Sequence, residues 1–129
     1  MSKKYSVFLV DDDKFLLDMY KRKFENDGAS VEVAVGAEEA LTKLRGGSKP
    51  DVLVFDIIMP GMDGLELLKV VRREKLTPDS AVVMFTNESD NKAIEEAKSL
   101  GIKGYIVKAT TIPSEVIERI KKIANINTD

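Results

Sequence analysis

Five short apolar runs divide the chain: Tyr5 to Val10, Val31 to Val35, Val52 to Phe55, Ala81 to Phe85 and Gly104 to Lys108. Val, Ile and Phe dominate them, and these side chains fit a pleated, buried surface, so each run predicts a β-strand. Between the runs, apolar residues recur at three- and four-residue spacing, as in Ala37, Ala40, Leu41 and Leu44, in Ala93, Ala97 and Leu100, and in Val116, Ile120 and Ile123. That spacing gathers them on one face of a helix. Turn residues fall at the joints: Asn26-Asp27-Gly28 ends the first helix, Gly46 to Pro50 precedes the third strand, Leu76-Thr77-Pro78 precedes the fourth, and Pro113 opens the last helix.

The pattern is a strand and then a helix, five times over. Because the strands are mostly apolar rather than alternating, both faces of their sheet must be covered. This predicts an α/β fold, a doubly wound (βα)5 five-stranded parallel sheet with right-handed crossovers. Ligands of such sheets bind outside the carboxyl ends of the strands.

The chain has 129 residues, enough for one core and too few for two, so residues 1–129 are expected to form a single domain. A hydrophobic content of 43% and a charged content of 33% suit a globular protein, with no linker or repeat. A net charge of -2 and a pI near 5.3 leave no basic footprint for phosphate backbones, so direct nucleic-acid binding is not expected. The apolar runs are too short to span a bilayer, and the amino terminus lacks a signal core. A soluble, cytoplasmic protein without membrane insertion is expected. There is no Cys and no His, which removes thiolate and imidazole metal sites, cysteine nucleophiles and the Ser-His-Asp triad.

The residues just past each strand are then the informative ones. Asp11, Asp12 and Asp13 come after the first strand, Asp56 after the third, Thr86 after the fourth and Lys108 after the fifth. A lone Asp or Thr at such a place is most simply a helix cap, and Asp13 is assigned that role for the first helix. Asp11, Asp12 and Asp56 together are harder to explain as caps, since carboxylates about 4 Å apart repel by roughly 4 kcal/mol at an effective dielectric near 20. A hard cation offsets that cost, and an all-oxygen donor set suits Mg2+. Adding the Lys108 ammonium and the Thr86 hydroxyl gives a site suited to holding a phosphoryl group.

These residues and their order resemble the receiver domain of two-component response regulators, in its chemotaxis-regulator-like single-domain form. The match runs from VFLVDDD at Val7 through VLVFDIIMPGMDG at Val52 and VVMFTN at Val82 to GYIVKA at Gly104. The resemblance implies a flavodoxin-like strand order 2-1-3-4-5. It implies that Asp56 is the phosphoacceptor, that Asp12 and Asp56 ligate magnesium directly with help from the Ile58 carbonyl, and that Asp11 acts through water. Thr86 would be the switch hydroxyl, Tyr105 its aromatic partner and Lys108 the lysine of the motif, while Pro60 and Gly64 would shape the loop after the acceptor. A histidine kinase or phosphotransfer protein would supply the phosphoryl group, and a downstream protein would read the α4-β5-α5 surface. The chain would be a monomer or a phosphorylation-dependent dimer.

Two positions depart from the receiver pattern. Ala109 stands where receivers usually carry Pro, and a cis Lys108-Ala109 bond would cost roughly 2.5 to 4 kcal/mol. Asn87 stands where they usually carry a small residue, which implies a narrower approach for the phosphoryl group. The expected activity is self-phosphorylation with slow self-dephosphorylation, not turnover of a substrate; Ile58 places an apolar side chain near the approach of water. The alternatives are a haloacid dehalogenase-like phosphatase, a flavodoxin-like FMN carrier, or a receiver fragment of a larger multidomain regulator. The run Asp56-Ile57-Ile58 lacks the second Asp of the first, and three aspartates after the first strand would repel the phosphate of the second.

Overall fold

The structure, a computed structural model, describes residues 4–87 and 91–126; the two ends of the expected 1–129 domain lie outside them. The elements alternate as β1 (Ser6–Asp11), α1 (Lys14–Asn26), β2 (Ser30–Val35), α2 (Ala37–Arg45), β3 (Val52–Phe55), α3 (Gly64–Arg73), β4 (Ala81–Thr86), α4 (Asn91–Ser99), β5 (Gly104–Val107) and α5 (Pro113–Ile123), with a single 3-10 turn, Lys108–Thr110, after β5. All pairings are parallel and the sheet order is β2-β1-β3-β4-β5, as expected.

Alternation within each strand assigns its residues to two cores. Phe8, Val10, Leu53, Phe55, Val82 and Met84 point to one face and pack beneath α2, α3 and α4. Val7, Leu9, Val52, Val54, Val83, Phe85 and Ile106 point to the other and pack beneath α1 and α5. The central strands β3 and β4 are buried along their whole length, which is why their sequences are unbroken apolar runs. The edge strand β2 is fully buried only at Ala34, and it tolerates an exposed Glu32 in its middle.

Strand boundaries differ from the apolar runs at the ends that matter most. β1 continues through Asp11, which pairs with Val35, because the backbone ladder takes no account of side-chain polarity. β4 likewise includes Thr86, paired with Val107. Lys108 has left the ladder and begins the 3-10 turn, and the described chain has no cis peptide bond, so Lys108-Ala109 is trans. Helix starts agree with the capping expectation: the Asp13 carboxylate accepts from Leu16 N–H at 3.2 Å and the Asp63 carboxylate from Glu66 N–H at 2.9 Å, while Pro113 occupies the first turn of α5.

Candidate functional site

β1 and β3 are neighbours, and β4 lies beside β3, so the polar residues at their carboxyl ends meet on one edge of the sheet. Asp11 extends the face of β1 that carries Val7 and Leu9, and it is 3% exposed; Asp56, the first residue past β3, is 8% exposed. Lys108 comes from the turn after β5, passes over the Phe85 ring with its Nζ 5.5 Å from the centroid, and ends between them. Its Nζ donates to Asp11 Oδ2 at 2.7 Å and to Asp56 Oδ2 at 2.6 Å.

Backbone amides complete the acceptor bonds. The second oxygen of Asp11 accepts from Asp13 N–H at 3.0 Å, and that of Asp56 from Ile58 N–H at 3.1 Å. Each carboxylate is thus held by one ammonium bond and one loop amide, in both cases from the residue two places on in the chain. The Gly64 N–H donates to Ile57 O at 2.7 Å and folds the loop carrying Met59, Pro60 and Gly61 back beneath the acceptor.

Charge is unevenly balanced here. Burial pushes the Asp11 carboxyl above the usual carboxylate range, with the neighbouring Asp12 adding to the effect, although Lys108 and the Asp13 amide pull the other way. Burial also disfavours the Lys108 ammonium, but its bonds to Asp11 and Asp56 together outweigh this and hold it above the ordinary lysine value. Asp11 and Asp56 thus share a single ammonium, with the Asp12 carboxylate beside them.

The donor chemistry fits a hard divalent cation, and the geometry says in what manner. Lys108 stands between Asp11 and Asp56, and among the described residues no three acidic, His or Cys side chains form a closed metal cage. Magnesium does not require one, since it keeps several waters and takes one or two carboxylates. Asp12, exposed and next to Asp11, and Asp56, 8% exposed, are the carboxylates that would hold it.

The remaining expected residues lie on β4, on β5 and on the loop after Asp56. Thr86 is fully buried at the end of β4, on the sheet face that carries Met84. Ile58 is 58% exposed on the loop after Asp56. Tyr105 is the second residue of β5, paired with Met84, so it sits two residues, about 6.6 Å along the strand, short of the Thr86 level. It is half-buried, with Lys98 Nζ of α4 5.9 Å from its ring centroid. Sequence reasoning missed the part played by Asn87: its Oδ1 accepts from the Ala109 backbone N–H at 2.7 Å. The available signal was the pairing of two departures from the pattern, an amide at 87 and a free N–H at 109.

Comparison with known proteins identifies the family and the fold. Residues 7–121 match the family described as response regulator receiver domain. The chain is 32% identical over 123 residues to the alkaline phosphatase synthesis transcriptional regulatory protein PhoP of Bacillus subtilis, covering 95% of this chain and 49% of that protein. It is 28% identical to the DNA-binding response regulator MtrA of Mycolicibacterium paratuberculosis and covers 52% of it, so the chain spans about half the length of these curated relatives. Among solved structures, the chemotaxis response regulator CheY4 of Vibrio cholerae superposes with a TM-score of 0.82 at 28% identity, over 94% of this chain and 99% of that one. A CheY-like receiver domain protein from Methanospirillum hungatei superposes with a TM-score of 0.85 at 29% identity, over 95% of each chain.

Proposed function

The chain belongs to the response regulator receiver family, and from that membership we propose that Asp56 is its phosphoacceptor, with Lys108, Thr86, Asp11 and Asp12 as the supporting groups. The observation that carries this is the Lys108 ammonium held between the buried carboxylates of Asp11 and Asp56. A structural ion pair needs one acid; a second acid sharing the same lysine leaves negative charge uncompensated, and folding alone gives no reason for it.

In the proposed reaction a carboxylate oxygen of Asp56 attacks phosphorus in line, the bond from phosphorus to the donor's nitrogen or oxygen breaks, and the donor leaves with the electron pair. Lys108, already within hydrogen-bond reach of Asp56, neutralises charge on the phosphoryl oxygens. Magnesium bound at Asp12 and Asp56, with the Ile58 carbonyl, would add electrostatic stabilisation of the same oxygens. The Ile58 amide keeps the second Asp56 oxygen oriented. The exposed Ile58 side chain stands beside the approach that water needs for hydrolysis, which favours a long-lived acyl phosphate.

Members of the family interact with histidine kinases and downstream targets. This chain has no His, so its phosphoryl group comes from a histidine kinase or phosphotransfer protein. Phe15 in the first turn of α1, Ile58 after β3 and Ile112 before α5 are exposed apolar side chains at the carboxyl-end edge, and they supply a rim on which such a donor seats. Output runs through Thr86 and Tyr105 to α4, β5 and α5. The half-length match to PhoP favours a second reading of output only, in which the receiver is one unit of a longer regulator; the phosphoryl chemistry is the same in both.

The test is incubation with a small acyl phosphate and magnesium, and then intact mass. One acid-stable, base-labile phosphoryl adduct is expected in the parent and none in Asp56→Asn. Full labelling of that variant would move the acceptor elsewhere, and Asp63 is a poor substitute because it caps α3.

A further inference from the structure

Asn87 and Ala109 meet in a specific way. Asn87 comes directly after Thr86 at the end of β4, and Ala109 directly after Lys108 in the turn that leaves β5. The last backbone pairing between these strands is Thr86 with Val107. One step further on, the Asn87 Oδ1 accepts from the Ala109 N–H at 2.7 Å, so a side chain continues the link past the point where the ladder stops. The donor exists because residue 109 is not proline, which has no N–H. The acceptor exists because residue 87 carries an amide.

This link is adjacent to the most constrained side chain of the site. Lys108 has a flexible four-carbon stem, yet its Nζ must satisfy Asp11 and Asp56 at once, at 2.7 and 2.6 Å. Where its backbone is held decides whether it can do so. The 3-10 turn Lys108–Thr110 has no side-chain hydrogen bond at its amino-terminal cap, and the Asn87 amide is a polar tether from the end of β4 to this turn.

We infer that Asn87 is a positioning residue for phosphoryl transfer: by holding the Ala109 amide it fixes the turn from which Lys108 reaches Asp11 and Asp56. This rests on Asp56 being the phosphoacceptor. Asn87 is exposed and acts through Lys108, without touching the transferred group. A role based on bulk alone, in which the side chain narrows the approach to Asp56, makes the opposite prediction for a residue of the same shape that lacks the acceptor.

Leu matches Asn closely in shape and accepts no hydrogen bond, so Asn87→Leu separates the two roles, with Asn87→Ala beside it. Each is made in the full chain, alone and combined with Lys108→Met. Labelling by a small acyl phosphate with magnesium is tracked by intact mass, and exchange of the Ala109 amide by NMR. The Ala109 amide should be protected in the parent and lose that protection in both variants. Labelling should slow roughly ten- to hundredfold in both, the scale expected for a misplaced catalytic group. With Lys108→Met present, neither Asn87 substitution should change the rate further, because the route through the lysine is already gone. Labelling of Asn87→Leu at the parent rate overturns the inference, as does faster labelling of Asn87→Ala, or an equal slowing by Asn87→Leu with and without Lys108. If the parent itself is not labelled at Asp56, the phosphoacceptor reading falls and takes this inference with it; labelled parent with unchanged variants removes the inference alone.

Discussion

Gly64 and Asp56 are in backbone contact: a Cβ placed on Gly64 would stand 2.0 Å from the Asp56 carbonyl oxygen and 2.8 Å from its carbonyl carbon. The first residue of α3 therefore packs directly under the backbone of the proposed acceptor. Real Cβ atoms do not approach this closely, and both neighbours are main chain, so neither can rotate away.

Gly64→Ala should accordingly shift the Asp56 backbone and not merely crowd it. Overpacking of this kind costs about 1 to 3 kcal/mol, read as a lower urea midpoint. The same variant should label more slowly with acyl phosphate at temperatures where it is fully folded. A destabilised variant that labels at the parent rate would confine the role of Gly64 to packing.

Magnesium should raise the thermal midpoint of the parent, since a ligand that binds only the folded state stabilises it by mass action, about 2.7 kcal/mol at a hundred times its dissociation constant. Asp12→Ala should remove that rise while leaving the bonds of Lys108 to Asp11 and Asp56 in place. An undiminished rise in Asp12→Ala would show that the ion binds elsewhere.

Acid stability should depend on a contact far from the site. Asp27, at the end of α1, accepts from Tyr5 Oη at 2.7 Å and from Lys121 Nζ of α5 at 2.8 Å. Burial pushes its carboxyl up, but the bonds from Lys121 and Tyr5 outweigh this and hold it below the usual carboxylate range. A carboxyl with a lowered folded pKa stabilises above its unfolded value, near 3.9, and loses that contribution as pH falls through the folded value. Asp27→Asn should be less stable than the parent by about 1 to 3 kcal/mol at neutral pH, with the gap closing below roughly pH 4. Urea midpoints of the two proteins between neutral and acid pH measure this, and a gap independent of pH would remove the ionic role.

Thr86 is fully buried at the end of β4, one strand from Tyr105 and two residues above its level. A phosphoryl group carries about -1.5 to -2 charge and should draw the Thr86 hydroxyl toward it, letting Tyr105 turn from beneath Lys98 into the space released. Amide shifts induced by beryllofluoride should spread from Asp56 across Asn91 to Val107 in the parent and stay local in Thr86→Ala. Distant shifts that persist in that variant would make Thr86 a pocket ligand and nothing more.

The five strand-helix units, the parallel sheet and the acids at its carboxyl edge were all legible in the chain, because each depends on local periodicity or on position relative to a strand end. Asp13 as a helix cap and Pro113 as the start of α5 were legible for the same reason: capping and turn chemistry act within a few residues. The tertiary structure alone decided that one ammonium serves two acids, since Lys108 lies 97 residues from Asp11 and 52 from Asp56 along the chain. It alone decided that Asp11 and Thr86 belong to the ladder, that Tyr105 lies below Thr86 and not level with it, and that Asn87 holds Ala109. These depend on strand register and on how closely two backbones approach, and both come from packing the whole sheet against its helices. No short stretch of sequence contains that information.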